Sequence, residues 1–153
     1  MKEKLKVCLV ASAGGHLVQL LRLRQSWEGH DTVYVSTVDV VRDKLAQFGR
    51  VFIIGECNRE HPFLTLRVFW RCLKVILSER PDVVISTGAA PGFLMCLTGR
   101  LLGAKIVWVD SIANVKRLSM SGKMIRPFCS LFLTQWEDLQ DKTKKIEYAG
   151  SVI

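Results

Sequence analysis

Ala11-Ser12-Ala13-Gly14-Gly15-His16 is the stretch on which the reading of this chain turns. An apolar run over 5–10 precedes it, and Leu17, Leu20, Leu21 and Leu23 follow at helical spacing. That order predicts a strand, a tight small-residue loop and a helix. Such a loop presents backbone N–H groups at the positive end of a helix, ready for a phosphate or another anion. It departs from the dinucleotide fingerprint, which needs G-x-G-x-x-G, and from the P-loop, which needs G-K-[ST]. It ends in a histidine instead, which places a titratable ring at the helix mouth. Alone, the same pattern also fits a plain turn with a buried or solvated histidine.

The 153 residues suffice for one domain, 1–153, with a substantial core. Apolar residues make up 49% and charged ones 24%, the balance of a globular chain. Five cysteines (Cys8, Cys57, Cys72, Cys96, Cys129) are odd in number and never form C-x-x-C. Reduced core thiols are therefore expected, rather than disulfides or zinc. Lys2, Lys4 and Lys6 lead straight into the first strand, so no signal peptide is expected. No uncharged apolar run reaches the ~18 residues that a spanning helix needs. The net charge of +8 favours nucleic acid, anionic lipid or phosphorylated substrates without choosing among them.

Strand and helix patterns alternate along the chain. Strands are expected near 5–10, 32–37, 51–54, 83–85, 106–109, 131–134 and 146–148, and helices near 15–27, 39–47, 63–79 and 93–102. The segment 56–62, with Glu60 and His61, has no period and reads as a solvated loop. The class is α/β, a Rossmann-like parallel sheet with helices on both faces. This layout sets three polar loops, 12–16, 86–92 and 110–114, at carboxyl ends of strands, where open α/β sheets bind ligands. Two glycine-bearing loops ahead of two helices can grip one diphosphate from both sides. Ser86, Thr87 and Ser111 would add hydroxyl donors, and Asp110 and Asn114 a polar lining. Taken singly, Gly88 and Gly92 read as turn residues and Asp110 as a helix cap; the coincidence of three loops favours a site.

Several longer stretches carry a resemblance: Ala11-Ser-Ala-Gly-Gly-His16, Ile85-Ser-Thr-Gly-Ala-Ala-Pro-Gly92, Trp108-Val-Asp-Ser-Ile-Ala-Asn-Val115 with Leu118-Ser-Met-Ser-Gly122, and Gln135-Trp-Glu137. Together they resemble the bacterial exopolysaccharide and capsule subunit family of the PssD, EpsE and CpsF type. That family is akin to the membrane-recruiting subunit of the eukaryotic dolichol-pathway GlcNAc transferase. The resemblance implies the N-terminal, acceptor half of a MurG-like GT-B glycosyltransferase. It implies a separate donor-binding chain that carries the nucleotide-sugar, a UDP-sugar, with no cofactor or metal held by this one. The chain ends about where the resemblance puts the joint between halves. It has no N-terminal span, so contact with the inner face of the cell membrane is expected to be peripheral, from the cytoplasm.

The resemblance also implies roles. Gly14 and Gly15, with Thr87, Gly88, Ala89 and Gly92, would approach the diphosphate of a polyprenyl-linked sugar. His16 would pair with that diphosphate as imidazolium or act as general base on the acceptor hydroxyl, with Asp110 as the rival base. In the helix over 63–79, Arg67, Arg71 and Lys74 form a narrow basic stripe beside Trp70 among many apolar residues. That composition fits a packed helix with snorkelling cations or a face for the membrane or the partner. Lys116, Arg117, Lys123 and Arg126 would extend such a surface. A non-catalytic adaptor for the catalytic chain is the alternative function. Nucleic acid is not expected, because no reader motif or stacking platform is present.

Overall fold

The computed structural model describes residues 3–152. Apolar runs bounded by turns become seven parallel strands: β1 (Lys6–Val10), β2 (Asp31–Ser36), β3 (Arg50–Ile53), β4 (Val83–Ser86), β5 (Lys105–Val109), β6 (Leu131–Thr134) and β7 (Glu147–Tyr148). Their order is β3-β2-β1-β4-β5-β6-β7, so the direction of winding reverses between β1 and β4. Right-handed crossovers put helices on opposite faces on either side of such a reversal.

One face carries α1 (Gly15–Arg22) and α2 (Arg42–Ala46), and the other carries α3 (Pro62–Glu79), α4 (Ala89–Leu101) and α5 (Met120–Ile125). The core splits accordingly. Leu17, Leu20, Trp27 and Leu45 cover one side of the sheet. Val68, Cys72, Ile76, Leu94, Met95 and Ile125 cover the other. Cys8, Cys72 and Cys96 are buried free thiols, and burial pushes the Cys72 thiol up to about 12. All five cysteines are free, as their spacing predicts.

Three boundaries differ from the sequence pattern. The first α-helix stops at Arg22 and passes into a 3₁₀ turn over Arg24–Trp27. The tighter turn brings Trp27 inward, where its Nε1 donates to Tyr34 Oη at 3.2 Å. The second helix likewise begins as a 3₁₀ turn, Asp39–Val41, before α2. The fourth begins at Ala89 and not near 93, so Pro91 and Gly92 lie inside its first turn. A first-turn proline costs nothing there, since its missing N–H would have no helical partner. By contrast α3 keeps its expected limits, with Pro62 at its start and Arg80 in the left-handed region (φ 47) before Pro81.

Candidate functional site

The reversal between β1 and β4 brings the first two glycine loops side by side. Gly14 (φ 102) and Gly88 (φ 136) precede α1 and α4, in backbone conformations that L side chains rarely adopt. Neither helix has a side-chain cap or an acidic residue in its first turn, so the N–H groups of both remain open to an anion. Ala89 follows with φ 69, a strained conformation for a non-glycine residue.

The two loops interlock through His16. A Cβ on Gly88 would lie 2.7 Å from His16 Cδ2 and Nε2, so the ring lies directly against the Gly88 backbone. Thr87 Oγ1 donates to the His16 carbonyl at 2.6 Å, and His16 Nδ1 meets Ser12 Oγ at 3.0 Å. His16 Nε2 has no hydrogen-bond partner among the described residues. Burial holds the His16 pKa below its ordinary value, and the Asp110 charge opposes that shift. The ring is therefore neutral near pH 7 and becomes easier to protonate as negative charge gathers around it.

The remaining expected ligands serve the scaffold. Ser86 is fully buried and its Oγ accepts the Gly88 N–H at 3.2 Å. Gly92 faces Ser86 Oγ and leaves no room for a side chain. The hydroxyl hydrogen of Thr87 is committed to His16. These corrections leave Gly14, Gly15, Ala89 and His16 at the two uncapped helix ends, with Gly88 against the His16 ring.

Asp110 is 1% exposed, and its carboxylate accepts from Trp108 Nε1 (3.0 Å), Ser119 N (2.8 Å) and Ser119 Oγ (2.5 Å). Ser119 in turn caps α5 by accepting the Gly122 N–H at 2.8 Å. Its geometry is that of a brace for α5, which corrects its reading as rival base. Ser111 is also buried, and its Oγ accepts from Gln19 Nε2 at 3.3 Å. Asn114 is half-buried, and its side chain makes no hydrogen bond among the described residues.

The model of the family described as "Oligosaccharide biosynthesis protein Alg14 like" matches residues 35–152. The chain belongs to this family. The UDP-N-acetylglucosamine transferase subunit alg14 of Schizosaccharomyces pombe is 43% identical over 92% of this chain and 80% of its own length. The human UDP-N-acetylglucosamine transferase subunit ALG14 is 28% identical over 99% of this chain and 85% of its own length. Membership thus rests on the eukaryotic side of the resemblance, and neither name points to exopolysaccharide or capsule synthesis. Among solved structures, MurG of Acinetobacter baumannii superimposes with a TM-score of 0.78 at 15% identity, over 97% of this chain and 46% of that one. UDP-GlcNAc 2-epimerase of Methanocaldococcus jannaschii does so with a TM-score of 0.69 at 14% identity, over 95% and 45%. The chain spans about half the length of these structures, and its fold is that of one Rossmann-like half of a GT-B protein.

Within this family member, Gln19 is the positioning residue that sequence reasoning missed. Buried on α1, it donates to Gly15 O and Ser111 Oγ, and its Oε1 accepts from Ile112 N (3.1 Å) and Gln135 Nε2 (2.6 Å). Gln135 also donates to Asp110 O at 3.0 Å. One amide pair thus ties the first glycine loop to the loop after β5. The available signal was a glutamine set between Leu17 and Leu20 on an apolar helix.

The outer surface of α3 also differs from the expected stripe. Arg67, Trp70 and Lys74 are exposed, with Phe63 (88%), Leu66 (54%) and Trp70 (54%) unusually so for large apolar groups. Arg71 is the correction: it is half-buried and donates to Ile54 O at 3.1 Å. Lys116, Arg117 and Lys123 are exposed, while Arg126 is half-buried and donates to Lys144 O at 3.0 Å. Among the described residues no helix is long and apolar enough to cross a membrane, and no three His, Cys, Asp or Glu side chains gather as a metal site.

Proposed function

We propose that this chain is the acceptor-binding subunit of a two-chain glycosyltransferase. The observation that carries the reading is the pairing of two uncapped helix N-termini, α1 and α4, across the β1/β4 reversal, with the neutral His16 ring wedged between them. The paired termini take the diphosphate of a polyprenyl-linked sugar. His16 Nε2, free of other partners, faces the acceptor hydroxyl. With Nδ1–H donated to Ser12, Nε2 presents a lone pair and accepts the hydroxyl proton as the oxygen attacks the sugar's anomeric carbon. The bond from that carbon to UDP breaks, and UDP leaves. The diphosphate charge and Asp110 then favour the imidazolium that results.

A separate donor-binding chain supplies the UDP-sugar, because one Rossmann-like half provides one wall of a GT-B cleft. The relatives' names, UDP-N-acetylglucosamine transferase subunits, support N-acetylglucosamine as that sugar. An exopolysaccharide or capsule setting is the alternative that the bacterial resemblance suggests, and it would change the acceptor saccharide without changing this site. The exposed residues Arg67, Trp70 and Lys74, with Lys116, Arg117 and Lys123, hold the subunit against an anionic membrane surface from the cytoplasmic side.

The test is His16→Asn, assayed with the partner chain present. Loss of a base costs roughly 10²–10⁴-fold in kcat with acceptor KM little changed. A role in pairing with diphosphate instead raises KM and leaves kcat largely intact. Wild-type kinetics in the variant would leave His16 as a turn residue and the chain as a non-catalytic adaptor.

A further inference from the structure

Beyond the anion-facing end of α4 lies an apolar groove that the chemistry above does not use. It encloses about 340 Å³. Thr65 of α3, Ala90, Phe93 and Leu94 of α4, and Met120 and Met124 of α5 line it. Arg59, on the loop before α3, borders it as well. Ala90 is the second residue of α4 and adjoins Ala89 and Gly88. The groove therefore reaches the first turn of α4, next to its uncapped N-terminus. Its lining includes two thioethers left half in solvent, Met120 at 47% and Met124 at 52% exposed. Phe63 and Leu64, just before Thr65 in the first turn of α3, are exposed apolar residues too.

An apolar trough that starts at an anion site suits one kind of occupant, an amphiphile with an anionic head and an apolar tail. Resting on the reading above, we propose that this groove takes the first isoprene units of the polyprenyl diphosphate, which fixes the direction in which the acceptor lies across the cleft. The sugar lies on the His16 side of Gly88, and the lipid leaves on the far side of Ala90, between α4 and α5. The volume is at the lower end of the ~300–1,000 Å³ typical of small-ligand sites, so it holds only the start of a long chain. The rest of the tail passes over Met120 and Met124 toward the bilayer. Methionine suits such a path because its unbranched, polarisable side chain adapts to a flexible apolar guest.

The experiment titrates the full chain by calorimetry, without detergent, with inorganic diphosphate and with farnesyl diphosphate. Farnesyl diphosphate is expected to bind at least about tenfold more tightly, because buried methylene groups add to affinity. The double substitution Met120→Gln with Met124→Gln should reduce that advantage to within about threefold and leave inorganic diphosphate binding unchanged. Both side chains are half exposed, and an unchanged melting temperature would confirm that the fold is intact. If farnesyl diphosphate binds no better than inorganic diphosphate, or keeps its advantage in the double variant, the groove assignment is overturned while the anion site stands. If neither ligand binds, the anion site fails and the groove proposal fails with it. If the double variant binds both ligands normally but pairs poorly with the donor chain, the groove is a subunit contact and the lipid proposal is wrong.

Discussion

Asp110→Asn separates a brace from a base, because every partner of this carboxylate is a donor. Oδ1 accepts from Trp108 Nε1 and Ser119 Oγ, and Oδ2 accepts from Ser119 N. An asparagine amide must point its NH₂ at one of these sides. Facing Ser119 it meets a backbone N–H that cannot turn away, and facing Trp108 it meets the indole N–H. Either way one buried donor loses its acceptor, at about 1–3 kcal/mol, and the bonds that remain lose their charge assistance. A loss of about 2–3 kcal/mol is expected. In a chain of this size that lowers the melting temperature by about 4–12 °C.

Urea unfolding should show a lower midpoint with an unchanged slope. Ser119→Ala removes the same brace from its other end, and also the α5 cap, at about 0.5–2 kcal/mol. Because both variants break one network, their effects should fall short of additivity in the double variant. Transferase activity with the partner chain should follow the folded fraction. A kcat loss of about 10²-fold or more, with the melting temperature within about 1 °C of wild type, would refute the brace and restore Asp110 as a base.

Two further outcomes follow from the same geometry. His16 has a folded-state pKa below the ordinary 6.5, so between those two values the unfolded chain holds a proton that the folded chain lacks, and stability rises with pH through that window; a ring proton titration by NMR should give a value below 6.5 that climbs when inorganic diphosphate is added, and His16→Asn should flatten the pH dependence of urea unfolding. On α3, Arg71→Ala should cost about 1–2 kcal/mol through its bond to Ile54 O, whereas Arg67→Ala and Lys74→Ala should leave stability within about 0.5 kcal/mol yet each weaken flotation on anionic vesicles about fivefold at low salt; equal binding to neutral vesicles would count against the membrane surface.

Much of this molecule is legible in the sequence where a local pattern decides the outcome. Leu9 and Val10, then Gly14, then Leu17 and Leu20 alternate periods sharply enough to fix strand, loop and helix. Repetition of that alternation fixes a parallel sheet. The limits of α4 were misleading because Pro91 and Gly92 read as breakers, yet a first-turn proline needs no N–H. What stayed hidden is side-chain direction. Arg71 sits in register with Arg67 and Lys74 on a helical wheel, but the end of β3 offers it the Ile54 carbonyl, and it turns inward. Gln19 finds partners 92 and 116 positions away in Ser111 and Gln135, distances at which no periodicity carries information.

The same limit explains why the first glycine loop could be located but its chemistry could not. A loop of small residues ending in histidine is by itself a turn. It becomes a candidate site because β4 pairs with β1, which delivers Thr87 to the His16 carbonyl across 71 positions and lays Gly88 against the imidazole. Partial burial then holds the ring's pKa below its ordinary value, beside two uncapped helix ends. Those two influences oppose each other. Burial favours the neutral base, and bound diphosphate favours the imidazolium. On the proposed reading, a group poised between them accepts a proton during the reaction and is stabilised as imidazolium afterwards by the bound diphosphate.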